Sequence, residues 1–251
     1  MSPQAIGEYQ GMAAGDGGRG MTGTLYGLGI GPGDPELITL KAHRLLQRVP
    51  VIAYPMPAEG QSPTRAIAAP HIPAGRTEIA IRLTSANSTP RKTIEMDEFE
   101  RIGRTLEDGH DVALLCEGDP LFYNDVQPLF LRLAEQFPIE VVPGVSSLSA
   151  SAAALGTPLA AQDEQLLIIP ASLAARTLTV RLSEADAAAV IELSGNFAKV
   201  RDCLAVTGLL PKSRYIERTA HGQQRVLPLD QVDPTQVSRA SMILMHRSSP
   251  A

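Results

Sequence analysis

Four glycines stand at alternate positions, Gly27, Gly29, Gly31 and Gly33, at the end of an apolar run, and Asp34-Pro35-Glu36 follows them. A main chain so free of side chains lets a bulky ligand come close to its N–H and C=O groups. Three explanations compete for such a loop. A dinucleotide turn needs G-x-G-x-x-G and an acid at the end of the second strand to hold a ribose. Here the glycines fit only loosely, and the second strand ends Tyr54-Pro55-Met56 with no acid. A phosphate loop needs Gly-Lys-Ser/Thr. Gly33 is followed instead by Asp34 and Pro35, and an acid at that spot repels phosphate. The third explanation is a tight turn with no ligand, since glycine often simply punctuates a chain.

Two further loops share the setting. Leu114–Tyr123 reads LLCEGDPLFY, a strand end with a Gly-Asp-Pro turn, and Val141–Ser147 reads VVPGVSS, a third strand end. Ligands of open parallel sheets bind beyond the carboxyl ends of the strands, so three such loops point to one crevice. His43, His110 and His221 have no metal or triad spacing and are expected at the surface or in packing. Cys116 and Cys203 are far apart and fit no metal spacing. They are expected to be buried apolar thiols in a reduced compartment, and no metal is expected.

GPGDPELITLKA, EGDPLFY and VVPGVSSLSASAAALGTPLA, in that order, resemble the tetrapyrrole methylases, the class III S-adenosylmethionine (SAM) methyltransferases. The resemblance covers residues 22 to 247. VIAYPMP, LCEGDPLFY and IERTAHGQQRVLPL resemble the precorrin-2 C20-methyltransferase branch of cobalamin biosynthesis. The uroporphyrinogen methylases carry an Asp where this chain has Pro55, and Gly-Gly-Asp-Pro where it has Glu117-Gly118-Asp119-Pro120. The chain departs from the branch at Asn124-Asp125, where Gly-Ser is usual, at Glu192–Asn196, and at Arg239-Ala240-Ser241.

The resemblance implies SAM as methyl donor, S-adenosylhomocysteine as product, and precorrin-2 as the tetrapyrrole substrate, methylated at C20 to precorrin-3A. The cobalt-bearing substrate of the anaerobic route stays open, as does a divergent non-catalytic SAM- or tetrapyrrole-binding protein. Carried over by motif, Pro32, Glu117, Gly118, Asp119, Phe122, Ser146, Ser147, Leu193 and Thr219 are the expected cofactor contacts. Asp119 can accept hydrogen bonds from a ligand, or cap the turn before Pro120. Ser146 and Ser147 can be ligand contacts, helix N-caps, or both. A buried leucine is core far more often than ligand wall, so Leu193 is the weaker of these contacts. Methyl transfer asks mainly for alignment, but a proton must leave C20, and Glu117 and Tyr123 are the candidate bases. Arg65, Arg82, Arg91 and Arg218 could face the substrate carboxylates, or be solvated surface.

The elements that must position these residues alternate in the front half. Strands are expected at Thr24–Ile30, Val51–Tyr54, Glu78–Leu83, Asp111–Cys116 and Ile139–Val142. Helices are expected at Pro35–Arg48 with Asp34 as N-cap, Ser62–Ala69, Lys92–Glu107 and Val126–Gln136. This rhythm argues for a parallel sheet with helices on both faces. A small-residue helix ends at Gly156. Strands near 165–169, 188–193, 214–218, 225–228 and 241–246 and helices near 173–182 and 197–207 then build a mixed sheet. The fold class is α/β: a tail at 1–22, an N-terminal domain at 23–143 with a parallel sheet, and a C-terminal domain at 144–251 with a mixed sheet. The resemblance places the active cleft between the domains.

A chain of 251 residues with 44% apolar content supports such cores. Its net charge of −5 gives no electrostatic footprint for nucleic acid. No apolar run approaches the roughly 20 residues of a membrane helix. Residues 1–22 lack a basic start and an apolar segment, so they read as a flexible tail rather than a secretory signal, with Met21 as an alternative start. A cytoplasmic protein is expected, with no nucleic-acid or membrane partner, and the resemblance implies a homodimer.

Overall fold

The computed structural model describes residues 22–85, 92–94 and 96–249. The tail reading, apart from Thr22, and Arg91 therefore lie outside the described residues. The chain divides into two compact units, Met1–Ser146 and Ser147–Ala251.

The first unit is built on strands β1 (Leu25–Gly29), β2 (Val51–Met56), β3 (Thr77–Ser85), β4 (Lys92–Ile94), β5 (Val112–Cys116) and β6 (Ile139–Val142). Their order is β4-β3-β2-β5-β1-β6. All neighbouring pairs are parallel except β3 and β4. The two inner strands LYGLG and VALLC are buried along their whole length, as strands covered on both faces must be. On one face Leu25, Ala53, Ile81 and Leu114 pack against α3 (Met96–Glu107) and α4 (Gln127–Leu133) through Ile102, Leu106 and Phe130. On the other, Leu28, Ile52 and Leu115 meet α1 (Leu40–Arg48) and α2 (Pro63–Ala68) through Leu45, Leu46 and Ile67.

Two expected helices are corrected. Pro35–Arg48 is not one helix. Asp34 caps only a 3-10 turn, Pro35–Leu37, its Oδ1 accepting from the Glu36 N–H at 2.8 Å. Ile38 is then extended (φ −69°, ψ 139°), and Thr39 caps α1, its hydroxyl accepting from the Ala42 N–H. The β-branched Ile38-Thr39 pair and a second cap residue favour this restart. Lys92–Glu107 is likewise divided, with Lys92–Ile94 pairing antiparallel to β3 and the helix beginning at Met96. A free sheet edge competes well for a segment with two β-branched residues, Thr93 and Ile94. The helical face foreseen from Phe99, Ile102 and Leu106 does pack on the sheet.

The second unit opens with α5 (Ser147–Leu155), which ends at Gly156 in the left-handed region (φ +60°). Strands β7 (Leu166–Pro170), β8 (Ala187–Ile191), β9 (Ser213–Glu217), β10 (Arg225–Pro228) and β11 (Ser241–His246) follow in the order β10-β9-β11-β8-β7. β7 and β8 are parallel, while β11 runs antiparallel to both β8 and β9. The sheet is mixed, as expected, and β7, β8 and β9 therefore end at the same edge. Helices α6 (Ala175–Glu184) and α7 (Phe197–Val206) cover one face, with Leu178, Leu182, Phe197 and Val200 packed on Ala188, Val190, Tyr215 and Ile243.

Candidate functional site

The carboxyl ends of β1, β5 and β6 bring three main chains to one point. A Cβ placed on Gly29 would stand 2.4 Å from the Gly144 nitrogen and 2.8 Å from the Gly118 carbonyl oxygen. A Cβ on Gly144 would stand 2.1 Å from that same oxygen. Gly118 itself sits at φ +66°, which an L side chain rarely adopts. Hydrogen bonds hold the crossing: the Gly118 N–H donates to the Gly31 carbonyl (2.8 Å) and the Ile30 N–H to the Cys116 carbonyl (3.0 Å). Only glycine fits here, so this edge of the sheet presents bare backbone.

Asp119 ties the loops together. Its Oδ1 accepts from the Leu121 N–H at 2.9 Å, closing the turn, and its Oδ2 accepts from the Gly144 N–H at 3.1 Å, reaching the loop after β6. The cap expected from the sequence is present, and a contact to a third strand end accompanies it. Asn124, at a departure from the branch pattern, folds its amide back to donate to the Glu117 carbonyl at 3.2 Å. Tyr123 is exposed, at φ +50°, with its ring edge-on to Phe122 at 5.0 Å between centroids. Cys116 is buried in the core behind the loop. Burial first, and the Asp119 charge second, push its thiol pKa well above the ordinary value.

The structure thus brings Pro32, Glu117, Gly118, Asp119, Phe122 and Tyr123 to the carboxyl edge of the first sheet, with Pro32 buried and Glu117 exposed. Ser146 ends the loop after β6, half-buried, and Ser147 begins α5. In the second unit Leu193 and Thr219 follow β8 and β9 at one sheet edge. Leu193 lies wholly inside the α6/α7 core. Thr219 is buried with its hydroxyl 2.8 Å from that of Ser151 on α5. Backbone strain marks the same edge: Glu192 (φ +58°), Arg218 (φ +50°) and Ala220 (φ +61°) are left-handed without being glycine.

Several expected residues have other occupations. Gly27 is not part of the crossing, because a Cβ there would meet the Phe130 ring at 2.5 Å, inside the core. Arg65 forks onto Glu78, Nε to Oε2 at 3.1 Å and Nη2 to Oε1 at 2.8 Å. Arg218 donates to Gln223 at 2.7 Å, and Arg82 is exposed on β3. His43 stacks edge-on to His71. Among the described residues no group of three or more His, Cys, Asp or Glu could hold a metal ion. Sequence reasoning singled out the Pro143-Gly144 loop but missed the contact of Gly29 with Gly144. It also missed Ser151, one of three serines in a helix of small residues, with nothing local to single it out.

Residues 24–232 match the family model of the Tetrapyrrole (Corrin/Porphyrin) Methylases, and the chain belongs to that family. It is 42% identical over 232 residues to the cobalamin biosynthesis protein CobIJ of Mycobacterium bovis, across 89% of this chain and 46% of that protein. The chain thus spans about half the length of that relative. It is 35% identical over 205 residues to the precorrin-2 C(20)-methyltransferase of a Sinorhizobium species, across 78% of this chain and 84% of that enzyme. The uroporphyrin-III C-methyl transferase of Thermus thermophilus, solved with S-adenyl homocysteine, shares the fold. Its TM-score is 0.65 at 24% identity, over 89% of this chain and 92% of that one.

Proposed function

We propose that this chain transfers a methyl group from SAM to C20 of precorrin-2, giving precorrin-3A and S-adenosylhomocysteine in cobalamin biosynthesis. The observation that carries the reading is the glycine crossing of β1, β5 and β6 in a chain of the tetrapyrrole methylase family. The C20 position is supported by the 35% identity to a precorrin-2 C(20)-methyltransferase over most of that enzyme.

The residues suit this donor. A Cβ at Gly29 or Gly144 would overlap backbone of the neighbouring loops, so glycine lets the three strand ends close together and bring their N–H and C=O groups to one edge. The acids Glu117 and Asp119 at the end of β5 favour a ligand carrying an ammonium and a sulfonium over one carrying phosphates. SAM, when bound, supplies a methyl already activated by its sulfonium. The chain's own task is then to hold reactants in line, where positioning contributes about 7–11 kcal/mol. In this reading Pro32 borders the donor, and Glu117, Gly118, Asp119, Phe122, Ser146 and Ser147 hold its methionine and ribose end. From the second unit it enlists Thr219 at the adenine, while Leu193, enclosed in the α6/α7 core, could act only by backing that wall. As the new C–CH3 bond forms and the sulfonium S–CH3 bond breaks, the C20 proton leaves to the Glu117 carboxylate, or to Tyr123 as its phenolate. The same reading makes the protein a cytoplasmic homodimer. Among the described residues no helix is long and apolar enough to cross a membrane.

The test is to incubate the protein with SAM and either precorrin-2 or its cobalt form, then read the tetrapyrrole by mass spectrometry and NMR. A gain of one methyl at C20 of precorrin-2 is expected. SAM binding without turnover on either substrate would make the chain a binding protein. Tight NAD binding without SAM binding would overturn the reading altogether. Sedimentation of the purified chain checks the dimer.

A further inference from the structure

One buried polar pair in the second unit has a proton left over. Ser151 on α5 is 0% exposed and Thr219, just after β9, is 7% exposed, with their hydroxyl oxygens 2.8 Å apart. Two hydroxyls carry two protons and four lone pairs, and one proton lies between the oxygens. Among the described residues each hydroxyl has the other as its hydrogen-bond partner. The second proton has no acceptor there, and a buried donor without one is costly enough to need a reason.

Geometry says where that proton goes. Ser151 is wholly enclosed, so the pair reaches outward only through Thr219. Thr219 stands between two left-handed non-glycine residues, Arg218 (φ +50°) and Ala220 (φ +61°). Strain on both sides of one threonine persists only where surrounding structure fixes it, and it concentrates at ligand clamps. The pair joins α5 to the loop after β9 across 68 positions of sequence, so Ser151 sets the hydroxyl orientation of a residue on a different element.

We propose that Ser151 is a positioning residue for the methyl donor. Its hydroxyl donates to Thr219 Oγ1, which turns the Thr219 proton outward as a donor to a ring nitrogen or hydroxyl oxygen of the donor's adenosine. This rests on the methyl-donor reading above and adds to it a residue that touches no ligand.

The experiment is calorimetric titration of S-adenosylhomocysteine into the full chain and into variants. Ser151→Ala and Thr219→Val each raise the Kd by about tenfold, the effect of one buried hydrogen bond. The double variant binds no more weakly than Thr219→Val alone, because the two groups act as one. Thr219→Ser restores binding, and Ser151→Cys, similar in volume but a weaker donor, falls between. Ser151→Ala also removes a buried hydrogen bond, so its ligand-free unfolding midpoint falls modestly, and affinities are compared at a temperature where every variant is folded. Wild-type affinity in Ser151→Ala, additive losses in the double variant, or a Thr219→Ser variant that binds as weakly as Thr219→Val would each overturn the proposal. A wild-type chain that does not bind S-adenosylhomocysteine removes the methyl-donor reading itself. Wild-type binding with unaffected variants removes only the pair's role.

Discussion

Gly144→Ala tests the crossing directly. The added Cβ would lie 2.1 Å from the Gly118 carbonyl oxygen and 2.8 Å from both C and Cα of Gly29. All of these are backbone atoms at strand ends, so no rotamer change relieves the overlap. Restoring ordinary contact in a close-packed region moves one main chain by about 1 Å, and overpacking of this kind costs about 1–3 kcal/mol. The shift also pulls the Gly144 N–H from Asp119 Oδ2, now at 3.1 Å. A hydrogen bond to a charged acceptor is worth about 1.5–3 kcal/mol. Together they amount to about 2.5–6 kcal/mol, a large part of the roughly 5–15 kcal/mol that holds a typical protein folded. Urea denaturation followed by circular dichroism should show a clearly lowered midpoint. Titration with S-adenosylhomocysteine should show at least a tenfold loss of affinity. A variant with wild-type midpoint and wild-type affinity would refute the reasoning, because the three chains could not then lie so close. Lost stability with full affinity would keep the crossing but separate it from the ligand.

Three further predictions follow from particular contacts. Gly27→Ala drives a Cβ to 2.5 Å from the Phe130 ring. It should cost about 1–3 kcal/mol, be partly relieved by Phe130→Leu, and leave S-adenosylhomocysteine affinity unchanged; lost affinity would put Gly27 back in the site. The Arg65 fork, aided by the Tyr54 hydroxyl and opposed by burial, holds Glu78 below the ordinary glutamate value of 4.5. A lowered pKa contributes stability that is present above the ordinary value and lost as pH falls through the folded value. The wild type should therefore lose more stability than Glu78→Gln on acidification below pH 4.5, and parallel losses in urea titrations would contradict this. Cys116 and Cys203 are both free and buried. A thiol reagent such as DTNB should find neither in the native protein and both in guanidinium, and rapid native labelling would contradict the packing.

Much of the fold was legible because its signals are local. The strand Ile139–Val142 lies between Pro138 and Pro143-Gly144, and the structure keeps those bounds. The alternating front half and the short connections of the back half announced a parallel and a mixed sheet, and both are present. The misjudged segments, the break at Ile38-Thr39 and the edge strand β4, are places where a local helical pattern meets a competitor. At Thr39 the competitor is a second cap. At β4 it is the open edge of β3, a partner that periodicity within the segment cannot reveal.

The sequence by itself determined which residues could matter: glycines where strands end, acids beside them, a helix of small residues, and motifs in the order of one family. Only the tertiary structure decided which of them touch. It put Gly27 in the core against Phe130 and Gly29 against Gly118 and Gly144, although all four glycines sit in similar apolar or loop-like stretches. It gave Asp119 a bond to a loop 25 positions away, and Ser151 a partner 68 positions away. Composition and spacing encode what a side chain can do. Contact between distant segments depends on strand order and helix packing, which the chain settles only by burying its apolar faces together.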